Sequence, residues 1–418
     1  MTDVPANVVV RKTAANGARI LAERIPGVRS VAVGVWFAGG VVEEPPALNG
    51  ISHFLEHMSF KGTARRSAAR ISEEIEGVGG SLDGFTDCEA VGFFIRILDT
   101  HLPLACDMLA DIALSSTVSE EDVAKERNVI GEEIRLYEDT PDDKVHDLVM
   151  AALEPTRPLG MPVLGTQETV GRITRDDLLA YRRRVFTADR MIIAGAGYLE
   201  PEEFIARAEE YFGAAPAATA EGPPSYEPRA VVLAVPKDTE QTHLCVGVPG
   251  LPFDHPDRYV YSALATILGG NTSSRLFRQV REERGLAYAV FAYGRTHRTS
   301  GALVAYAGTN PGTAELTRDL ILEQFHTLAS TAAPEDEVAR TREYLKGNFM
   351  LALESTSARA TRNARHELYL GRYVSLEETL AGVDAVTADD IRRVAADLFA
   401  AKPTVVAIGP NAEAVVNY

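Results

Sequence analysis

The sequence carries the same pattern of residues twice, and this internal repeat constrains the fold more than any other feature. Residues 119–134, SEEDVAKERNVIGEEI, align without gaps on residues 334–349, PEDEVARTREYLKGNF, at an offset of 215 positions. Residues 173–197 align in the same way on residues 386–410, at an offset of 213. The repeat predicts two homologous domains of about 200 residues each, within the range of single domains.

Between the two copies lies a segment rich in Ala, Pro, Gly and Ser, residues 213–228, which has no periodic apolar face. Such a composition is typical of a linker. The sequence therefore predicts an N-terminal domain over residues 1–212, the linker, and a C-terminal domain over residues 229–418.

Each copy opens with a valine-rich strand, at residues 31–36 and 231–235, and continues with helices and further strands such as residues 90–98. This order favours an α+β fold in which each domain is a mostly antiparallel sheet covered by helices. We expect the helices to lie on one face of each sheet.

Composition excludes several classes of function. The net charge of −17, from 42 basic and 59 acidic residues, argues against nucleic acid as a partner. No apolar run is long enough to span a membrane, and the first residues lack the pattern of a signal peptide. Three cysteines form no paired framework, which fits a reducing compartment. We therefore expect a cytoplasmic protein without a membrane partner.

The stretch GISHFLEHMSFKGT, residues 50–63, places two histidines and a glutamate in an otherwise apolar segment. In a helix, His53 and His57 lie one turn apart on one face, with Glu56 on the same side. A single histidine in an apolar helix is usually only hydrogen-bonded. The pattern H-x-x-E-H, however, is a known zinc signature, and it requires a third ligand.

The second copy serves as a control for the choice of that ligand. It has no H-x-x-E-H, and it replaces Glu126 with Thr341 and Glu133 with Asn348. These carboxylates thus occur only in the copy that carries the histidines, as expected if they serve the metal rather than the fold. Zinc in hydrolases commonly takes three protein ligands, but spacing alone leaves Glu126, Glu132 and Glu133 all open as the third.

Together the motifs resemble the pitrilysin/insulinase family of zinc peptidases, the inverzincins, and within it the bacterial branch similar to mitochondrial processing peptidase. The resemblance covers nearly the whole chain and includes HFLEH, GGSLDGFT, SSRLFRQVREERGLAYAV and ERNVIGEEIRLYEDTPDD at residues 126–143. It implies that Glu133 is the third ligand and that Glu126 supports the site from behind. It also implies one zinc ion per chain and Glu56 as the general base of peptide hydrolysis.

The resemblance further implies that residues 79–89, GGSLDGFTDCE, contain an edge strand that pairs with an extended peptide substrate. Asp83 stands where the family usually has Asn, so this chain lacks that amide. The candidate substrate-binding residues in this stretch are Gly80, Leu82, Asp83 and Phe85.

In the second copy, Arg281 and Tyr288 match a pair that contacts substrate and steadies the reacting carbonyl in the family. A complete chamber in the family contains four copies of the α+β unit, whereas this chain supplies two. The resemblance therefore implies a homodimer in which each zinc site is completed in trans, and a heterodimer with a paralogue is the open alternative. The rival functions are a non-catalytic assembly subunit of the same fold and a metal-binding module without hydrolysis. The presence of Glu56 beside the ligands favours an active endopeptidase.

Overall fold

The computed structural model describes residues 9–217, 224–227 and 230–418. Contacts divide the chain into two compact units. Unit 1 comprises the described residues of Met1–Ile134, Pro162–Tyr226 and Leu351–Tyr373, and unit 2 those of Arg135–Met161, Glu227–Met350 and Val374–Tyr418. Each unit therefore includes one segment from the other half of the chain: Leu351–Tyr373 belongs to unit 1, and Arg135–Met161 belongs to unit 2. The domain boundaries drawn from the repeat remain a prediction.

The described residues form two sheets. The strands are β1 (Val9–Thr13), β2 (Arg19–Arg24), β3 (Ser30–Ala38), β4 (Ser81–Thr86), β5 (Ala90–Leu98), β6 (Met191–Gly197), β7 (Ala234–Val235), β8 (Thr242–Gly250), β9 (Ala287–Thr296), β10 (Gly301–Thr309) and β11 (Thr404–Ile408). The strand predicted at residues 90–98 is confirmed as β5. Of the strand predicted at residues 231–235, only Ala234 and Val235 form a strand, β7.

The described residues contain the following α-helices. They are α1 (Ile51–Ser59), α2 (Ala68–Glu76), α3 (Leu102–Ser115), α4 (Glu120–Glu138), α5 (Pro141–Leu153), α6 (Gln167–Arg172), α7 (Arg175–Val185), α8 (Pro201–Phe212), α9 (Arg258–Gly269), α10 (Ala314–Ser330), α11 (Glu335–Ala352), α12 (Thr356–Leu370), α13 (Leu376–Asp384), α14 (Ala388–Phe399) and α15 (Ala412–Val416). None of them combines the length and the apolar composition that a membrane crossing requires.

The order of strands shows the repeat directly. The sheet of unit 1 has the order β1-β2-β6-β3-β5-β4, and the sheet of unit 2 has the order β7-β11-β8-β10-β9. From β2 onward the two orders correspond strand for strand. Each sheet contains one parallel pair at the same place, β2 with β6 and β7 with β11. The α+β fold with two homologous, mostly antiparallel sheets is therefore confirmed.

Helices cover both faces of each sheet, so the expectation of helices on one face only is wrong. In unit 1, α1, α3, α7 and α8 pack on one face, while Ala360, Ala364 and Leu368 of α12 pack on the other, against Trp36 and Ile192. In unit 2, α5 covers the second face in the same way. The cause is visible in β6, whose seven residues are all buried, because a strand that is apolar on both faces needs cover on both.

Candidate metal centre

A buried carboxylate fixes the start of α1, the helix that carries H-x-x-E-H. Glu44 accepts hydrogen bonds from the backbone N–H groups of Gly50 at 2.8 Å and Ser52 at 2.9 Å, and from the Asn49 side-chain amide at 2.7 Å. These bonds satisfy donors that the first turn of a helix otherwise leaves open. Gly50 has a φ of 95°, and a Cβ there would lie 2.7 Å from the carbonyl oxygen of Leu164. The helix therefore begins at one defined place.

The opposite arc of α1 anchors it in the core of unit 1. The fully buried apolar side chains of the helix are Ile51, Phe54, Leu55 and Met58. His53 and His57 lie on the remaining arc, with ring centroids 4.5 Å apart. The sequence pattern thus produces the predicted amphipathic helix, one arc packed and the other presenting imidazoles.

The structure brings Glu133 of α4 to the two histidines. One potential ligand atom from each of His53, His57 and Glu133 lies within 4.8 Å of the others. The Oε2 atom of Glu133 is 3.7 Å from the Nε2 atom of both His53 and His57. These separations are too long for hydrogen bonds, but two metal–ligand bonds of ~2.0–2.1 Å span such a gap. Two imidazole nitrogens and a carboxylate oxygen are also the donor set of catalytic zinc sites, so the residues fit the ion.

Glu126 lies behind the histidines rather than among the candidate ligand atoms. Its Oε2 atom is 3.1 Å from Nδ1 of His57, and its Oε1 atom is 2.7 Å from Nζ of Lys61. A carboxylate can only accept, so Nδ1 of His57 carries the proton and donates it. The lone pair of Nε2 then faces Glu133, which is the arrangement that a metal ligand requires.

His53 is held in its neutral form. Burial, together with the nearby His57, lowers the pKa of His53 to about 3, because the interior does not solvate an imidazolium ion. Within the described part of the chain, its Nδ1 atom is buried without a hydrogen-bond partner. A neutral imidazole is the form that binds metal ions.

The edge of the sheet holds Glu56 beside this cluster. Thr86, the last residue of β4, donates its hydroxyl hydrogen to Oε2 of Glu56 at 2.8 Å. Gly84, two residues earlier and on the same face of the strand, leaves room for the other oxygen, since a Cβ there would lie 2.7 Å from Oε1. Burial raises the pKa of the Glu56 carboxyl, and the charge of Glu133 raises it further, against the opposing effects of Thr86 and His57. Such a shift suits a proton acceptor that works near neutral pH.

Two side chains of the site, Thr86 and Lys61, were not predicted from the sequence. Thr86 could have been found from strand alternation, because residues 84 and 86 share a face. Lys61 could have been found from its place four residues after His57, one helical turn further on. Neither spacing shows which carboxylate accepts from the side chain. Glu56 comes close to Thr86, and Glu126 to Lys61, only in the folded unit.

The proposed substrate strand lies at the edge of the sheet in unit 1, since β4 pairs only with β5 among the described strands. Leu82 shares the face of Gly84 and Thr86. Asp83 is exposed, and Phe85 packs against the apolar cluster on the other face of the sheet. Gly80 precedes the strand, where a Cβ would come within 2.9 Å of Ile75.

Arg281 and Tyr288 both belong to unit 2. The guanidinium carbon of Arg281 lies 4.9 Å from the centre of the Tyr288 ring, a distance at which the cation and the ring attract each other. Tyr288 is the second residue of β9, and 76 % of its surface is exposed. Arg281 and Tyr288, which the family resemblance pairs, are therefore neighbours, and the tyrosine is accessible.

A chain with two homologous α+β copies, of which only the first carries H-x-x-E-H and a distant glutamate, defines a class of zinc peptidase fold. Residues 19–167 match the family described as Insulinase (Peptidase family M16), and residues 172–345 match the Peptidase M16 inactive domain. The chain belongs to this insulinase family, and the resemblance seen in the sequence is confirmed.

Full-length relatives carry consistent names. The "Uncharacterized zinc protease YmxG" of Bacillus subtilis is 40 % identical over 97 % of this chain and 99 % of its own length. An "Uncharacterized zinc protease" of Streptomyces coelicolor is 38 % identical over 96 % of this chain and 90 % of its own.

Solved structures share the fold at lower identity. A protease from Helicobacter pylori superposes with a TM-score of 0.91 at 20 % identity, covering 97 % of this chain and all of its own. A peptidase M16 inactive domain from Pseudomonas fluorescens gives a TM-score of 0.87 at 21 % identity, covering 96 % of this chain and 98 % of its own.

Proposed function

We propose that the protein is a zinc-dependent endopeptidase that cleaves peptides or unfolded segments. The observation that carries the proposal is the cluster of His53, His57 and Glu133, with Glu56 held beside it by the edge strand. The names of the full-length relatives support the same activity. One ion per chain is proposed, because the second copy lacks the motif and replaces Glu133 with Asn348.

Within this site, each residue has a distinct task. A bound zinc ion would polarise the peptide carbonyl and acidify water at the site. Glu56 takes a proton from that water and returns it to the leaving amine. Thr86 occupies Oε2 of Glu56, so Oε1 is the oxygen left to exchange protons.

The proposed binding place of the substrate is the edge of the sheet in unit 1. The free edge of β4 offers backbone N–H and C=O groups to an extended peptide, which would pair with it as an added strand. Only an extended segment can pair in this way, so stably folded proteins should resist cleavage. Leu82 and Asp83 lie on the two faces of that strand, where side chains of the peptide would alternate.

The assembly belongs to the proposal as well. We expect a cytoplasmic homodimer whose two active sites are each completed by Arg281 and Tyr288 of the partner subunit. The exposure of Tyr288 supports this, because a side chain that contacts substrate must be accessible.

Zinc analysis combined with a quenched fluorescent peptide tests the function. The wild-type protein should hold about one zinc ion per chain and should cleave the peptide. The Glu56→Gln variant should keep its zinc and lose turnover, while the Glu73→Gln variant on the exposed side of α2 should match wild type. Zinc binding without cleavage of any peptide would identify a non-catalytic member instead.

A further inference from the structure

We propose that Lys61 is a positioning residue of the metal centre and that it acts through Glu126. The inference rests on the proposed zinc site and adds a residue to it that lies one step further from the ion. Its basis is a chain of three side chains that ends at a ligand candidate. Lys61 contacts Glu126, and Glu126 contacts His57.

The two oxygens of Glu126 have different partners. Oε1 lies 2.7 Å from Nζ of Lys61, and Oε2 lies 3.1 Å from Nδ1 of His57. Rotation of the carboxylate out of its present plane would break both contacts. Lys61 thus holds the plane in which one of the two equivalent oxygens of Glu126 accepts the proton-bearing nitrogen of His57.

Burial makes the lysine necessary. The side chain of Glu126 is 6 % exposed, whereas that of Lys61 is 35 % exposed. A carboxylate so far from water is costly unless a cation and hydrogen bonds compensate it. The partly exposed lysine can supply that charge.

The backbone prepares the lysine for this contact. Lys61 follows the last turn of α1, and its N–H donates to the carbonyl of Met58 at 3.3 Å. The next carbonyl, of Gly62, accepts the backbone N–H of Thr117 at 3.0 Å. Gly62 itself has a φ of 123°, a conformation that L side chains rarely adopt. The base of the lysine side chain is therefore fixed between the end of α1 and the segment before α4.

Loss of the ammonium group should weaken the site without removing a ligand. Glu126 would then lack its cation and would no longer be held with Oε2 towards His57. His57 would lose the acceptor that fixes its tautomer and ring orientation. Outer partners of metal ligands typically contribute 10–100-fold in affinity, so we expect zinc to bind about 10-fold more weakly.

The experiment measures the zinc dissociation constant by competition with a chromophoric chelator, at constant pH. Lys61→Met and Lys61→Gln should each weaken binding about 10-fold, and Lys61→Arg should restore most of the affinity because it keeps the cation. Lys125→Met is the matched control, since Lys125 pairs with Glu121 on the exposed side of α4. It should bind zinc like wild type.

A thermodynamic cycle tests the path through Glu126. In the Glu126→Gln background, Lys61→Met should cause little further loss, because the residue through which it acts is already changed. Unchanged affinity in Lys61→Met and Lys61→Gln would overturn the inference, and so would losses that add independently. A wild-type protein that binds no zinc would instead refute the proposed function.

Discussion

Thr86 donates its hydroxyl hydrogen to Oε2 of Glu56 across 2.8 Å, and this bond joins the edge strand to the proposed general base. The same strand is the one to which a peptide substrate would be added. In the proposed mechanism, placement of the base and binding of substrate thus depend on one element, β4.

The first prediction concerns this bond. Thr86→Val keeps the shape of the side chain and removes the donor, so Glu56 loses the contact that orients it. We expect kcat to fall about 10-fold, a fraction of the roughly 10²–10⁴-fold that a general base contributes, with KM and zinc content nearly unchanged. Thr86→Ser should recover most of the activity because it keeps a hydroxyl. A Val variant with wild-type kcat would show that the bond does not position the base.

The second prediction concerns the third ligand. Glu133→Gln should release zinc more readily than Glu126→Gln, because Oε2 of Glu133 faces both Nε2 atoms, whereas the histidine atom that Glu126 contacts is Nδ1 of His57, on the far side of the ring. Metal content after dialysis against a mild chelator measures the difference. The opposite ranking would make Glu126 the ligand.

The local and periodic features of this fold can be predicted from the sequence. The amphipathic helix with His53 and His57, the strand at residues 90–98 and the repeat all follow from short-range patterns. Spacing alone could not separate Glu126, Glu132 and Glu133, because Glu126 and Glu133 share one helix face and no local pattern shows which face meets the histidines. The resemblance to a family singled out Glu133. The structure adds the atoms that Glu133 faces.

The sequence could not predict that α5 belongs to unit 2 and α12 to unit 1. Both helices have ordinary amphipathic sequences, and nothing in such a pattern identifies the sheet against which it packs. In unit 1, the position of α12 depends on contacts between residues far apart in sequence. One of these is the ion pair at 2.5 Å between Glu23 of β2 and Arg359 of α12.

The third prediction tests that ion pair. Glu23 is 3 % exposed and also accepts the side-chain amide of Asn363 at 2.7 Å. Glu23→Ala leaves the half-buried guanidinium of Arg359 and the buried amide of Asn363 without this acceptor, which should cost about 3 kcal/mol, the lower end of the range for breaking a buried pair. The single tryptophan of the sequence, Trp36, lies in the apolar cluster that faces α12. Its fluorescence during urea unfolding should therefore change at a lower urea concentration in the variant.

An exposed ion pair provides the control for this measurement. Glu203 and Arg207 form an i,i+4 pair on α8, and Glu203→Gln should cost less than about 1 kcal/mol. Equal midpoints for Glu23→Ala and wild type would mean that this ion pair does not stabilise the packing of α12 on the sheet.

The last prediction is that the active sites are shared between two chains. Take Glu56→Gln in one chain and Tyr288→Phe in the other, each nearly inactive by itself. In a mixed dimer with sites completed in trans, one site receives both changes and the other receives none.

Random exchange of equal amounts makes half of the dimers mixed, so activity should recover to ~25 % of the wild-type value. If each chain used its own tyrosine, every site would carry one change, and mixing would restore nothing. Exchange of subunits is followed separately, by native mass spectrometry of chains of different mass. Confirmed exchange without recovery would reject the shared sites and would leave the assignment of His53, His57 and Glu133 untouched, because those residues lie together within unit 1 of a single chain.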